Sequence, residues 1–218
     1  GYLFIASELA YMIAGPSRAY ASGQSKVFEK LTYNSKRSSE TNASNATTPF
    51  YNASCIMNSS YNCTATNALP YLGLSRVFVL AQAGTCSASE AVVNGLRGVG
   101  VDVKIIGGTT CGKPYGFTAK DNCGVSYFSI EFKGVNAAGF GDYSDGFAPT
   151  CTVSDDFSKQ LGDPTEGQLA GALKYQTTGA CPSAAVATEK TLSAGGAAGA
   201  YTLLKNPLRE NRWGVPRP

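Results

Sequence analysis

Between residues 76 and 106 the hydrophobic pattern changes period twice. Arg76 to Ala81 is a short continuous apolar run and predicts a strand. The stretch after it, up to about Leu96, has helical spacing, and Val101 to Ile106 is again a run of strand length. Strand, helix and strand joined by short links predict a βαβ unit within an α/β domain. Nearer the start, Tyr2, Ile5, Leu9, Met12 and Ile13 recur at helical spacing, and Gly15-Pro16 ends that helix. Further on, Ser126, Phe128, Ile130 and Phe132 alternate with Val125, Tyr127, Ser129 and Glu131, which predicts one strand with one apolar face. Asp163-Pro164-Thr165-Glu166 reads as an N-cap, a first-turn proline and a capping glutamate, opening a helix that carries Leu169 and Leu173.

Two segments lack such periodicity. Residues 34 to 68 are rich in Ser, Thr and Asn and predict a long polar loop, closed by a Cys55–Cys63 clip. The tail from Lys205 to Pro218, with three prolines and three arginines, predicts a segment that either lies on the surface or packs through Trp213. Residues 181–218 read as a C-terminal extension.

Charge changes this picture only by exclusion. The 218 residues carry 18 basic and 15 acidic side chains, a net +3, and no Lys/Arg run exceeds two. That is no footprint for nucleic acid. No stretch approaches the ~18 apolar residues of a membrane helix, so no membrane span is expected. The opening GYLFIASELAYMIAG has neither an initiating Met nor a charged leader and reads as a piece of something longer.

Seven cysteines favour an oxidising, exported setting. Proximity would pair Cys55 with Cys63, Cys111 with Cys123 and Cys151 with Cys181, leaving Cys86 free. Five Asn-x-Ser/Thr acceptors, at Asn42, Asn45, Asn52, Asn58 and Asn62, crowd the polar loop and mark it as exposed. With no histidine and no C-x-x-C, a metal centre is not expected, and neither is a cofactor.

Candidate chemistry sits on either side of the predicted helix. GTCSASE (84–90) lies at the strand-to-helix junction, and Ser87-Ala88-Ser89-Glu90 matches a capping box, an ordinary structural use of Ser87. After the second strand, Gly107-x-x-x-x-Gly112-Lys113 matches most of a phosphate-binding loop. Pro114 breaks that match, having neither the hydroxyl that holds Mg²⁺ nor an N–H to offer phosphate. Lys113 is better read as a base: a lysine held in an apolar pocket loses hydration, and its neutral form can take a proton from a serine. Pro114, Tyr115 and Phe117 supply such a setting, and a Ser/Lys pair has no need of histidine.

Together, TCSASEAVVNGLRG and IIGGTTCGKPYG, with Lys113 26 positions after Ser87, resemble the C-terminal processing (tail-specific) peptidase family of serine peptidases. The segments DNCGVSYFSIEFKGVNAAGFGDYSDGFAPTC and DDFSKQLGDPTEGQLAGAL resemble the downstream part of a bacterial branch. The resemblance covers residues 1–180 and implies an α/β fold of the ClpP/crotonase-like kind, built of ββα units and only partly present here. It implies a serine endopeptidase with Ser87 as nucleophile and Lys113 as general base. The backbone N–H of Ala88 is then one oxyanion donor, and Gly1 is what remains of the glycine-rich turn giving the second. It also implies a protein or peptide substrate cut near apolar C-termini, a periplasmic or exported location, and an N-terminal remainder with a PDZ domain.

Two departures stand out. Phe117 occupies the position four after the lysine where many members place a Gln, and Gly98 stands where some place an Asp. Tyr115 or Thr109 could orient Lys113 instead. A non-catalytic peptide-binding module on the same fold, and a crotonase-like acyl-CoA enzyme, stay open as alternatives, as does the activity of this stretch on its own.

Overall fold

The computed structural model describes residues 1–60 and 62–183; the expected tail, with Trp213, lies outside the described residues. In chain order, helix α1 (Leu3–Ala14) leads through a one-turn helix, α2 (Pro16–Ala19), and a small hairpin, β1 (Tyr20–Ala21) and β2 (Gln24–Ser25), into β3 (Val27–Tyr33). Then come β4 (Thr47–Pro49) and the hairpin β5 (Ala53–Met57) with β6 (Cys63–Ala68). The predicted βαβ unit is β7 (Arg76–Ala81), α3 (Ala88–Gly98) and β8 (Asp102–Gly107). After it come β9 (Tyr115–Gly116), β10 (Lys120–Asn122), β11 (Val125–Tyr127), β12 (Phe132–Val135), β13 (Cys151–Thr152) and α4 (Gly167–Thr178).

β7 and β8 pair in parallel, in register from Arg76–Asp102 to Ala81–Gly107, and β13 adds a parallel edge strand to β8. Alternate residues of this sheet serve two cores, as the period of two requires. Val77, Val79, Val103 and Ile105 join Val93 and Leu96 of α3, whereas Phe78 and Ile106 meet Cys151, Ala172 and Tyr175. α3 and α4 thus pack on opposite faces. A second sheet, antiparallel and ordered β4-β3-β12-β9, lies on the other side of α3. Close approach there is made by Gly95: a Cβ on it would sit 2.5 Å from the Phe28 ring, so only glycine lets β3 lie on the helix.

Several expectations change on folding. α1 forms where periodicity placed it, and Gly15 ends it at φ +67°, but its buried face is Ala6, Ser7, Ala10, Tyr11 and Ala14. Tyr2, Ile5 and Leu9 are exposed, because small residues let α1 press close against α3. The polar stretch 34–68 is not structureless. It holds a 3₁₀ segment, Ser35–Asn42, then β4 and the β5–β6 hairpin bridged by Cys55–Cys63. All five acceptor asparagines lie in it and are exposed.

The alternating run 125–132 is two strands, β11 and β12, which serve different sheets; Phe128 and Ile130 between them are exposed. α4 begins three residues later than its capping signature suggests. The Asp163 carboxylate accepts from the Thr165 N–H and hydroxyl in a separate turn, and Glu166 is the N-cap, accepting from the N–H groups of Gln168 and Leu169.

Leu96 is fully buried between the two sheets, whereas Leu161 is fully exposed in a turn. Leu96→Ala should lower unfolding free energy by about 2–5 kcal/mol, and Leu161→Ala by less than about 0.5 kcal/mol. Urea denaturation of both variants measures the contrast.

Candidate active site

Glu90, in the first turn of α3, is completely buried and accepts hydrogen bonds from two loops. Its Oε2 receives the backbone N–H of Ser87 at 3.0 Å and that of Lys113 at 2.8 Å. Its Oε1 receives the N–H of Gly112 at 2.8 Å and the Thr110 hydroxyl at 2.6 Å. Four donors on one carboxylate satisfy what burial would otherwise leave costly. The capping role read from the sequence is therefore half of its work; the other half is fixing the lysine turn against the serine turn. No local pattern could show that, since the partners of Glu90 lie 20 to 23 residues away.

A disulfide reinforces the same junction. Cys86, adjacent to Ser87, is bonded to Cys111, two residues before Lys113. This corrects the proximity pairing of Cys111 with Cys123: Cys123 is free and exposed on the β10–β11 hairpin. Sequence distance misleads here because β7 and β8 are parallel neighbours, so the turns leaving their C-terminal ends meet. The Cys55–Cys63 and Cys151–Cys181 bridges form as expected.

Ser87 adopts φ +59°, ψ −116°, a conformation an L-residue takes up only at a cost of about 1–3 kcal/mol. The sharp turn lifts its side chain off the helix end, as at the nucleophile position of other strand-turn-helix sites. On the facing turn, Gly112 has φ +76°, and a Cβ there would stand 2.0 Å from the Ser144 carbonyl oxygen. Lys113 thus follows a position that only glycine can occupy.

Ser87 and Lys113 line one cavity of about 320 Å³, together with Gly1, Glu29, Phe117 and Tyr143. Gly1 also lies against Ala88; a Cβ on it would come within 2.7 Å of the Ala88 Cβ. All four residues singled out from the sequence are therefore neighbours. The shielding expected around the lysine is not what the structure holds: Lys113 is exposed, and its amine has no hydrogen-bond or ion-pair partner among the described residues, Tyr115 and Thr109 included. Phe117, where relatives by resemblance carry a Gln, lines the cavity and meets the Phe128 ring edge-on at 5.3 Å. Among the described residues no group of three or more His, Cys, Asp or Glu could hold a metal ion.

Glu29 and Tyr143 are site residues that sequence reading did not find. Glu29 is 7% exposed and has no hydrogen-bond or salt-bridge partner among the described residues. Burial pushes its carboxyl up to about 7 from the ordinary 4.5. Tyr143 is buried, and burial, with Glu29 and Glu90 nearby, holds its phenol neutral well above the usual range. Glu29 stands beside Lys30 in a run whose apolar and charged residues come in pairs, and charged residues are usually solvated, so nothing local marked it.

No protein-family profile matches the sequence, and no curated protein matches it. Among solved structures the chain is similar to a Bacteroides fragilis protein provisionally named as an S41 protease. The two share 24% identity over 81% of this chain, with a TM-score of 0.61, and the chain spans 42% of that protein's length. The likeness is one of fold: a mixed helix and sheet architecture like that of the S41 protein.

Two expectations follow from the carboxylates. Glu90→Gln replaces one oxygen by an amide that faces donors, so unfolding free energy should fall by more than about 3 kcal/mol, measured by urea denaturation. Glu29 should act in the opposite sense. Its proton is held more tightly in the folded than the unfolded chain, so stability is greatest below about pH 4.5 with respect to this group and declines until about pH 7. The decline amounts to up to about 3 kcal/mol, and Glu29→Gln should remove it from a series of melts between pH 4 and 8.

Proposed function

We propose that this protein is a serine peptidase of the C-terminal processing kind, in which Ser87 and Lys113 form the catalytic pair on a ClpP/crotonase-like core. The observation that carries the reading is the shared carboxylate of Glu90, which brings two turns distant in sequence to one cavity. A structural serine and a solvated lysine would need no such joint. The fold likeness to the S41 protein supports the same reading.

In the proposed reaction the Ser87 hydroxyl attacks the scissile carbonyl carbon while the neutral Lys113 amine takes its proton. The carbonyl oxygen becomes an oxyanion, met by the N–H of Ala88 and, in the second position, by Gly1. The intermediate collapses, the C–N bond breaks, and Lys113 returns the proton to the departing amine. Water, deprotonated by the same lysine, then hydrolyses the ester and restores Ser87. A bound peptide would cover the cavity and remove water from the exposed amine, strengthening its interactions there. The three disulfides fit an exported, oxidising location. The substrate is a protein or peptide, and the N-terminal remainder implied by the resemblance supplies the rest of the catalytic domain.

One specific observation favours a second reading, a peptide-binding module without chemistry: the Lys113 amine is exposed and unpartnered, with Phe117 in the orienting position. A serine-directed fluorophosphonate separates the two. In the full-length protein, labelling should map to Ser87 and fall at least about 100-fold in Ser87→Ala and in Lys113→Ala, in line with losses of general-base catalysis. The labelling rate should also rise with pH, because only the neutral amine accepts the proton. Labelling unaffected by Lys113→Ala would remove the base assignment, and no labelling of Ser87 at all would favour the binding module.

A further inference from the structure

The cavity beside Ser87 has one wall that a purely apolar substrate side chain would not need. Glu29 reaches it because of two local features of β3. Opposite β4, the ladder skips from Val27–Pro49 to Glu29–Thr48, a bulge at Phe28 that lets Phe28 and Glu29 both turn inward. Phe28 fills the space left by Gly95 of α3, and Glu29 turns to the cavity. Room for the carboxyl comes from Gly134 of β12, where a Cβ would lie 2.4 to 2.7 Å from the carboxyl atoms of Glu29. A buried carboxyl, a glycine that makes way for it and a bulge that aims it are three separate concessions to one side chain.

That side chain has no partner among the described residues, and its burial at the cavity wall leaves the charged form poorly solvated. The groups facing it do not offset this. Tyr143 shares the cavity as a neutral phenol, and Glu90 is already occupied by four donors. Thr48 and Leu31, the ladder partners of Glu29 and Gly134, carry no charge, and Lys113 stands beyond salt-bridge range. Tyr115 and Gly1 lie along the rest of the lining. A cation brought by a substrate would meet the carboxyl there, and its aliphatic stem would cross the Leu3 and Phe132 surfaces of the same cavity. At about 320 Å³ the cavity is of a size for one side chain rather than a large ligand.

We propose that Glu29 is a specificity-determining residue, and that the cavity takes a lysine or arginine side chain of the substrate residue bearing the scissile carbonyl. The inference rests on the peptidase reading above. It departs from the apolar preference that the family resemblance implies. Because burial holds the carboxyl near pH 7, the preference has a direction: a cationic side chain is favoured increasingly as pH rises through about 7, and a neutral one is tolerated below it.

The test compares two peptides identical except for lysine or its apolar isostere norleucine at that position, cleaved by the full-length protein between pH 6 and 8.5. The ratio of their kcat/KM values cancels every pH effect on the chemical step that both substrates share, and isolates Glu29. The lysine peptide should be favoured at least about tenfold at pH 8, the ratio should shrink toward pH 6, and Glu29→Gln should bring it near unity at every pH. Fluorophosphonate labelling of Ser87 in the unsubstituted protein tests the catalytic reading separately. If Ser87 is not labelled at all, the catalytic reading fails while the inference is still measured, by anisotropy titration of Ser87→Ala with the same two peptides. A ratio favouring norleucine at pH 8, or one that Glu29→Gln leaves unchanged in both assays, overturns the proposal.

Discussion

The Glu90 carboxylate is the constraint from which the site follows. It is fully buried in the first turn of α3, and it is tolerable there because four donors converge on it. Two of those donors are the backbone N–H groups of Ser87 and Lys113 themselves. Main-chain donors cannot rotate away, so the carboxylate sets the relative position of the two residues and leaves their side chains free. The Cys86–Cys111 bridge ties the same two turns covalently, closing a loop of sequence separation 25 that contains α3 and β8. In chain-entropy terms such a closure removes about 3 kcal/mol of freedom from the unfolded state.

Rigidity at this junction explains why strain can persist in it. Ser87 at positive φ would relax if the surrounding bonds allowed it. They do not, because Thr110 donates to Glu90 and accepts the Phe147 N–H at 2.7 Å, locking the lysine turn to the loop behind it. Backbone conformation is thus over-determined around two side chains that make no bond to each other. That is what pre-organisation of a reactive pair requires, and it is also the arrangement in which covering the cavity, rather than moving the backbone, would complete the site.

The two glutamates of the site illustrate opposite solutions to the same problem. Glu90 is buried and saturated with donors; Glu29 is buried and unpartnered, and burial raises its proton affinity instead. A carboxyl in that condition, with a bulge and a glycine arranged around it, is where we propose a cationic substrate side chain binds. The exposed Lys113 and the unsatisfied Glu29 therefore describe one cavity whose electrostatics are incomplete until something occupies it.

Local pattern was enough for α1, β7, α3 and β8, because each is a periodic run ended by glycine or by a capping residue. It also placed Ser87 and Lys113 at the ends of adjacent strands, since a βαβ crossover brings the C-terminal ends of parallel strands together whatever the rest of the chain does. Which face of α1 is buried, the Cys86–Cys111 pairing, the split of 125–132 between two sheets and the arrival of Glu29 from β3 were decided by tertiary structure. Each depends on close approach between segments tens of residues apart, governed by small side chains such as Gly95 and Gly134. Sequence thus determined the elements and the nearness of Ser87 to Lys113, while the fold decided what surrounds them, because hydrophobic period is a property of neighbours along the chain and burial is a property of neighbours in space.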